Sequence, residues 1–256
     1  MADKNTRQYI FVIRQLARRD VTRGNSSKFL GQIWNVINPF IHMITMVLVF
    51  SAIFENSIPN YRIYVLTGTI IYSLYNSGTT GAMKALVGNK RFLIRTRIPM
   101  NVFIIEKVYV AFIHMLYSLI GYVILLIIFQ VPPNPCMLLV IPDIALSLVL
   151  IYGIGKILAV INVYFADIQY FYRILMVLFM YGSAIFYSAD RLAPAVQAII
   201  NVNPIYISIT MARNCVIGAT CPNGIMWLTL ACYAVGFYLL GSYVFKKGTQ
   251  DVVAKL

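Results

Sequence analysis

Few side chains in this sequence are able to do chemistry, and those that are stand far apart. Glu106 and Lys156 lie inside long apolar blocks, where an ionised group costs roughly 3 kcal/mol or more at the centre of a membrane. Their depths in their blocks match, so an ion pair between Glu106 and Lys156 is expected. Its simplest role is to join neighbouring helices. A proton relay would need a further acid or histidine at that level, and the sequence offers none. His42 and His114 are isolated, and the four cysteines (Cys136, Cys215, Cys221 and Cys232) lack metal-type spacing. Cys215 and Cys221 are close enough in sequence to pair, or each stands alone. There is no paired-carboxylate signature, no histidine cluster and no GxxxxGK[ST] phosphate loop. The chain is therefore expected to bind no cofactor and to perform no catalysis or ATP hydrolysis itself.

Aromatic residues are the other candidates. The chain has 18 Tyr against 2 Trp, and many should form belts at the membrane surfaces. Tyr72 and Tyr75 fall instead in the middle of an apolar block, and Phe179, Tyr181, Phe186 and Tyr187 run along another. A tyrosine in hydrocarbon needs a partner for its hydroxyl. Tyr faces stack on sugar rings while their hydroxyls bond sugar oxygens, so a Tyr-lined path would suit a polysaccharide. Ordinary helix packing is the competing account of each position.

The elements that must position these residues are membrane-spanning helices. The 256 residues are 60% hydrophobic and 11% charged, far below the charge of a soluble domain. At roughly 20 apolar residues per span, the length accommodates six spans. They are expected near 34 or 39–54, 63–83, 100–129, 137–162, 170–187 and 224–245. The N-terminus is polar and basic, not the short apolar core of a signal peptide, so the first span is expected to direct insertion. Residues 7–23 place Tyr9, Ile10, Ile13, Leu16 and Ala17 at helical spacing between Arg7, Arg14, Arg18 and Arg19. This predicts an amphipathic helix, lying on the membrane surface or packed on the protein's own face. Pro204 divides residues 192–217 into two short helices, each too short to span. They predict a re-entrant hairpin, which is tolerated only when buried in protein or lining a cavity; a surface helical loop is the alternative.

The net charge of +13 invites a nucleic-acid reading, but its placement argues against one. Of the 21 Lys and Arg, 17 fall on one side of the six-span layout. Three (Arg62, Arg191 and Arg213) fall on the other, and Lys156 lies within a span. Excess Lys and Arg mark cytoplasmic loops, so both termini and the basic stretch 84–99 are assigned to the cytoplasm.

The run Lys28-Phe-Leu-Gly-Gln-Ile-Trp-Asn-Val-Ile-Asn-Pro39 resembles the approach to the first span in membrane subunits of type-2 ABC exporters of O-antigen, teichoic acid and capsule polysaccharide. Leu30, Gly31, Trp34 and Pro39 carry that likeness. Phe165-Ala-Asp-Ile168 is similar to the family's Phe-Arg-Asp-Ile turn, with Asp167 kept and Ala166 in place of Arg. Ala184-Ile-Phe-Tyr187 resembles its Pro-Ile-Phe-Tyr, with Ala for Pro. Asn203-Pro204 and Arg213 match the Asn-Pro and Arg of its external re-entrant helices. Each motif is weak alone; their order and the six-span layout are together specific.

The resemblance implies an all-α transmembrane domain over 1–256. It has an amphipathic helix and approach at 1–33, a coupling segment at 84–99 and an external gate region at 188–223. It implies a second copy of the chain, two separate ABC ATPase subunits that hold the ATP and Mg, and a lipid-linked glycan as cargo in the cytoplasmic membrane of a bacterium. Arg14, Arg18, Arg19, Lys90, Arg91, Arg95 and Arg97 would face the ATPase, and contact with anionic lipid is a second role for the same charges. An ABC exporter of another lipid or drug would look alike in sequence. An ion-coupled transporter would need more intramembrane acids and an inverted repeat. A membrane glycosyltransferase or acyltransferase would need a cluster of His or carboxylates at an interface.

Overall fold

The computed structural model describes residues 2–23, 60–95, 98–189 and 192–248, with helical positions at 41, 44, 45, 48 and 49. Most of the expected first span lies outside the described residues, as do Leu30, Gly31, Trp34, Pro39 and Arg97. The regular elements among the described residues are helices: α1 Ala2–Arg23, α2 Tyr61–Gly88, α3 Lys90–Arg95, α4 Asn101–Ile128, α5 Val140–Tyr164, α6 Ile168–Tyr181, α7 Pro194–Val202, α8 Pro204–Val216 and α9 Gly224–Gly248. A 3-10 turn, Pro135–Leu139, leads into α5.

Local chemistry sets the breaks. Asn60 precedes α2 with φ 51°, and Gln130 turns the chain after α4 with φ 54°. Pro194 and Pro204 open α7 and α8 at the first helical position, where the missing N–H would have had no helical partner anyway. The two helices meet at 92°. The break expected at Pro204 is therefore present, with the first helix starting two residues later than the sequence indicated.

Among the described residues, three segments are long and apolar enough to cross a membrane: Asn101–Ile128, Pro135–Tyr164 and Gly224–Gly248. The bent α7–α8 pair adds a fourth only if read as one broken span. α2 has the length, about 42 Å at 1.5 Å per residue, but carries Thr67, Thr69, Ser73, Asn76, Ser77, Thr79 and Thr80. It packs against α4, α5, α6 and α8, which buries Thr67 and Thr79 but leaves Ser73 and Ser77 exposed. α6 departs most from the six-span expectation. It has 14 residues, about 21 Å, against roughly 30 Å of hydrocarbon. The block expected to reach Tyr187 is helical only to Tyr181, and the chain then leaves the helix through residues 182–188.

Between α5 and α9 the packing is backbone on backbone. A Cβ on Gly153 would come within 2.5 Å of the Phe237 carbonyl carbon, and one on Gly241 would overlap the carbonyl of Gly153. Small residues at such a crossing let dispersion contacts form along the whole interface. α2 also differs from expectation at its basic end: it runs unbroken through Lys84 to Gly88, and only Lys90–Arg95 forms a separate helix.

Candidate transport path and coupling surface

At the basic end, α1 is fastened to α4 and α3. Ala17 and Val21 are buried on the face toward α4, the helix against which α1 chiefly packs. The Asp20 carboxylate accepts from Lys107 on α4 and from Arg19 Nε at 2.9 Å. Burial alone would raise the Asp20 pKa. The hydrogen bond and charge of Lys107, followed by those of Arg19, outweigh it and hold the group below the usual carboxylate range. Arg19 also reaches the α2–α3 junction. Its Nη2 donates to Asn89 Oδ1 at 3.4 Å, and its guanidinium sits 5.5 Å from the centre of the Phe92 ring. Asn89 itself is buried and donates to the Ala85 carbonyl at 2.9 Å. One residue of α1 thus touches α3 while the next is tied to α4.

Arg14 and Arg18 line a cleft of about 490 Å³ with Thr22, Tyr109 and Tyr117, between α1 and α4. Lys90 and Arg91 are exposed on α3, whose last residue is Arg95.

The expected Glu106–Lys156 pair is not formed among the described contacts. Glu106 is fully buried, and its nearest cation is its own neighbour Lys107, with Nζ 3.4 Å from Oε2. That is ion-pair distance without hydrogen-bond alignment; the carboxylate oxygens have no hydrogen-bond partner among the described residues. Lys156 turns instead toward α9. It donates to Ser242 Oγ at 3.0 Å and lies 4.2 Å and 4.9 Å from the ring centres of Tyr152 and Tyr238. Equal depth along two helices does not place two side chains on facing sides, and here the rotation of α5 sends Lys156 away from α4.

The tyrosine candidates are held by the protein. Tyr72 donates to the Met176 carbonyl at 2.7 Å, and Tyr75 donates to Ser147 Oγ at 2.8 Å. Both are buried. Tyr75 nevertheless reaches the wall of an apolar cavity of about 640 Å³ that Phe179, Phe171 and Phe237 also line. Tyr181 is exposed, its ring 6.3 Å from that of buried Phe186, and Tyr187 donates to the Tyr181 carbonyl at 2.6 Å.

Asn203 and Arg213 are both held by several hydrogen bonds. Asn203 caps α8 by accepting from Ile205 N at 3.0 Å, while its amide donates to Gly182 O at 3.2 Å and Ser183 Oγ at 2.9 Å. Arg213 is buried and donates to three carbonyls: Tyr64 at 3.1 Å, Ala184 at 3.0 Å and Ile185 at 2.9 Å. Its guanidinium also lies 3.3 Å from the Tyr64 ring centre. The unwound stretch after α6 would otherwise carry bare carbonyls into an apolar interior, which is expensive. Arg213 satisfies two of them. Asp167 is exposed at the turn before α6 and makes no side-chain cap there.

Sequence reasoning missed a polar chain crossing three helices. Tyr75 donates to Ser147, Ser147 and Ser208 lie 3.2 Å apart, and Ser208 donates to Asp143 Oδ2 at 3.1 Å. Asp143 is buried in the first turn of α5, where the helix dipole favours an acid. An acid at the start of an apolar block was the available signal.

A family model described as ABC-2 type transporter matches residues 12–217. Two Klebsiella pneumoniae proteins named O-antigen export system permease protein RfbA are each 24% identical, over 206 and 191 residues, covering 80% and 74% of both chains. A Myxococcus xanthus protein of the same name is 22% identical over 246 residues, 95% of each chain.

Proposed function

Because the chain belongs to the ABC-2 type transporter family, we propose that it is the membrane subunit of an ATP-driven exporter of a polyprenyl-diphosphate-linked polysaccharide or teichoic-acid-type polymer. The observation that carries this reading is the common name of its relatives, O-antigen export permease, over alignments reaching 95% of the chain. In this reading two copies form the path, both termini face the cytoplasm, and two ATPase subunits dock on the basic end. The exposed apolar face of α6, with Phe171, Ile174 and Leu178, is left for lipid or for the second copy.

The fastening of α1 supports the coupling role. α3 is a short helix between α2 and α4, so a push on it reaches both as rigid bodies. Arg19, Asp20 and Lys107 extend the same push to α1. The hairpin α7–α8, pinned by Asn203 and Arg213, would close the path at the outer face. The basic end would also hold the diphosphate near the membrane.

Co-expression with candidate ABC ATPase subunits, purification through a tag on this chain and assay with the lipid-linked glycan tests the reading. Co-purification and glycan-stimulated hydrolysis are expected. Stimulation by unrelated lipids or drugs and not by glycan would reassign the cargo, and failure of any ATPase to co-purify with folded protein would sink the exporter assignment.

A further inference from the structure

α8 and the segment after it carry two of the four cysteines, and the fold brings a third to them. Beyond Val216 the chain reverses: Ile217 N and Gly218 N both donate to the Arg213 carbonyl, Ala219 takes φ 46°, and Thr220 N donates back to the Asn214 carbonyl at 3.0 Å. That reversal returns Cys221 to the end of α8. The 3-10 turn Pro135–Leu139 packs against α8 and delivers Cys136 to the same place. The thiols of Cys136 and Cys221 lie within hydrogen-bonding reach of each other. Cys221 is exposed and Cys136 half-buried, whereas Cys215 is buried at 1% exposure beneath them.

We propose that Cys136 and Cys221 are joined by a disulfide on the outer face of the membrane, tying the corner between α4 and α5 to the exit of the re-entrant hairpin. The inference rests on the proposed function, in whose six-span layout the corner between α4 and α5 and the segment after α8 both face outward. It selects Cys136 over Cys215 as the partner of Cys221, because exposed Cys221 and half-buried Cys136 are reachable by an oxidant and buried Cys215 is not. The chemistry is thiol–disulfide exchange with an oxidised dithiol-type oxidase of the extracytoplasmic compartment. The Cys221 thiolate attacks one sulfur of the oxidase disulfide, forming a mixed disulfide and releasing one oxidase thiolate. The Cys136 thiolate then attacks the Cys221 sulfur, forming the Cys136–Cys221 bond and releasing the second oxidase thiolate. Two electrons pass to the oxidase, and the two protons lost by the cysteines are balanced by those its thiolates take up. The bridge would hold the end of α8 against the 3-10 turn, limiting how far the hairpin swings.

The test uses the whole chain in right-side-out membrane vesicles, with thiols trapped at harvest. A membrane-impermeant maleimide is applied before and after reduction, and the protein is digested without reductant for peptide mass measurement. The expected result is no label on Cys221 before reduction, label after it, and a linked peptide pair lighter than its two parts by two hydrogens. In Cys136→Ser, Cys221 should label without reduction; in Cys221→Ser, Cys136 should do so. Label on Cys221 in the unreduced wild type, or a linked Cys215–Cys221 peptide, overturns the proposal. Label that enters only after the vesicles are permeabilised overturns the outward orientation, and the bridge with it.

Discussion

The guanidinium of Arg213 fills the space that a side chain on Gly68 would need: a Cβ there would stand 2.8 Å from Nη2. Gly68 lies in the interior of α2, where alanine is favoured over glycine by about 1 kcal/mol. Against that, displacing Arg213 would loosen hydrogen bonds to buried carbonyls, each worth about 1–3 kcal/mol when left unmade. Gly68→Ala is therefore expected to destabilise, despite the helix propensity it gains. Thermal unfolding in detergent should show a lower Tm than wild type, and an unchanged or raised Tm would mean the guanidinium relocates freely.

Gly241→Ala should fail more severely. Its Cβ meets the backbone of Gly153, which cannot rotate away as a side chain can, and overpacking of this kind costs about 1–3 kcal/mol or more. Gly236, on the same helix, has nothing within 4 Å of a Cβ. Gly236→Ala should leave the Tm level or raise it. Equal behaviour of the two variants would remove the α5–α9 crossing as a determinant of stability.

Asp20→Asn should free α1 from α4 while leaving the membrane helices assembled. A partly exposed ion pair is worth about 1 kcal/mol, enough to shift the docking of one helix but not the fold. The pH dependence follows the same contact. The folded pKa of Asp20 lies below its ordinary value, so its stabilisation is present above the unfolded pKa, near 3.9, and is lost as pH falls through the folded value. Spin labels on α1 and α4 should hold a short distance at pH 7 and separate only after the pH has fallen below the ordinary aspartate value of 3.8. In Asp20→Asn they should be separated at both.

Lys156→Met and Glu106→Gln should act independently. The two residues have different partners, Ser242 with two tyrosines for one and Lys107 for the other, and effects of separate sites add within about 0.5 kcal/mol. Unfolding of both single variants and the double variant measures this. Rescue of one substitution by the other would restore the pair that matching depths suggest.

Arg91→Glu combined with Arg95→Glu is expected to preserve insertion and to break the link between ATP hydrolysis and export. Arg91 is exposed on α3, so its charge is free to face an acidic surface on the ATPase. The ratio of polymer exported to ATP consumed is the readout, and an unchanged ratio would take these residues out of the coupling role.

The sequence by itself determined the all-helical character of the described residues and the break at Pro204, because these follow from local patterns of apolarity and backbone restriction. A resemblance singled out Arg213 and Asn203, without showing what they hold. Tertiary structure alone decided partners. Whether Lys156 faces α4 or α9 depends on the rotation of α5 about its axis, and a nearly all-apolar helix leaves that rotation unmarked in the sequence. The early end of α6 at Tyr181 was hidden for a related reason. Residues 182–187 are as apolar as the helix before them, and donors that arrive from distant helices (Arg213, Asn203, Tyr61 and Tyr64) let their carbonyls leave it. The pairing of Cys136 with Cys221 is of the same kind, since 85 residues separate them and only the packing of the 3-10 turn on α8 brings them together.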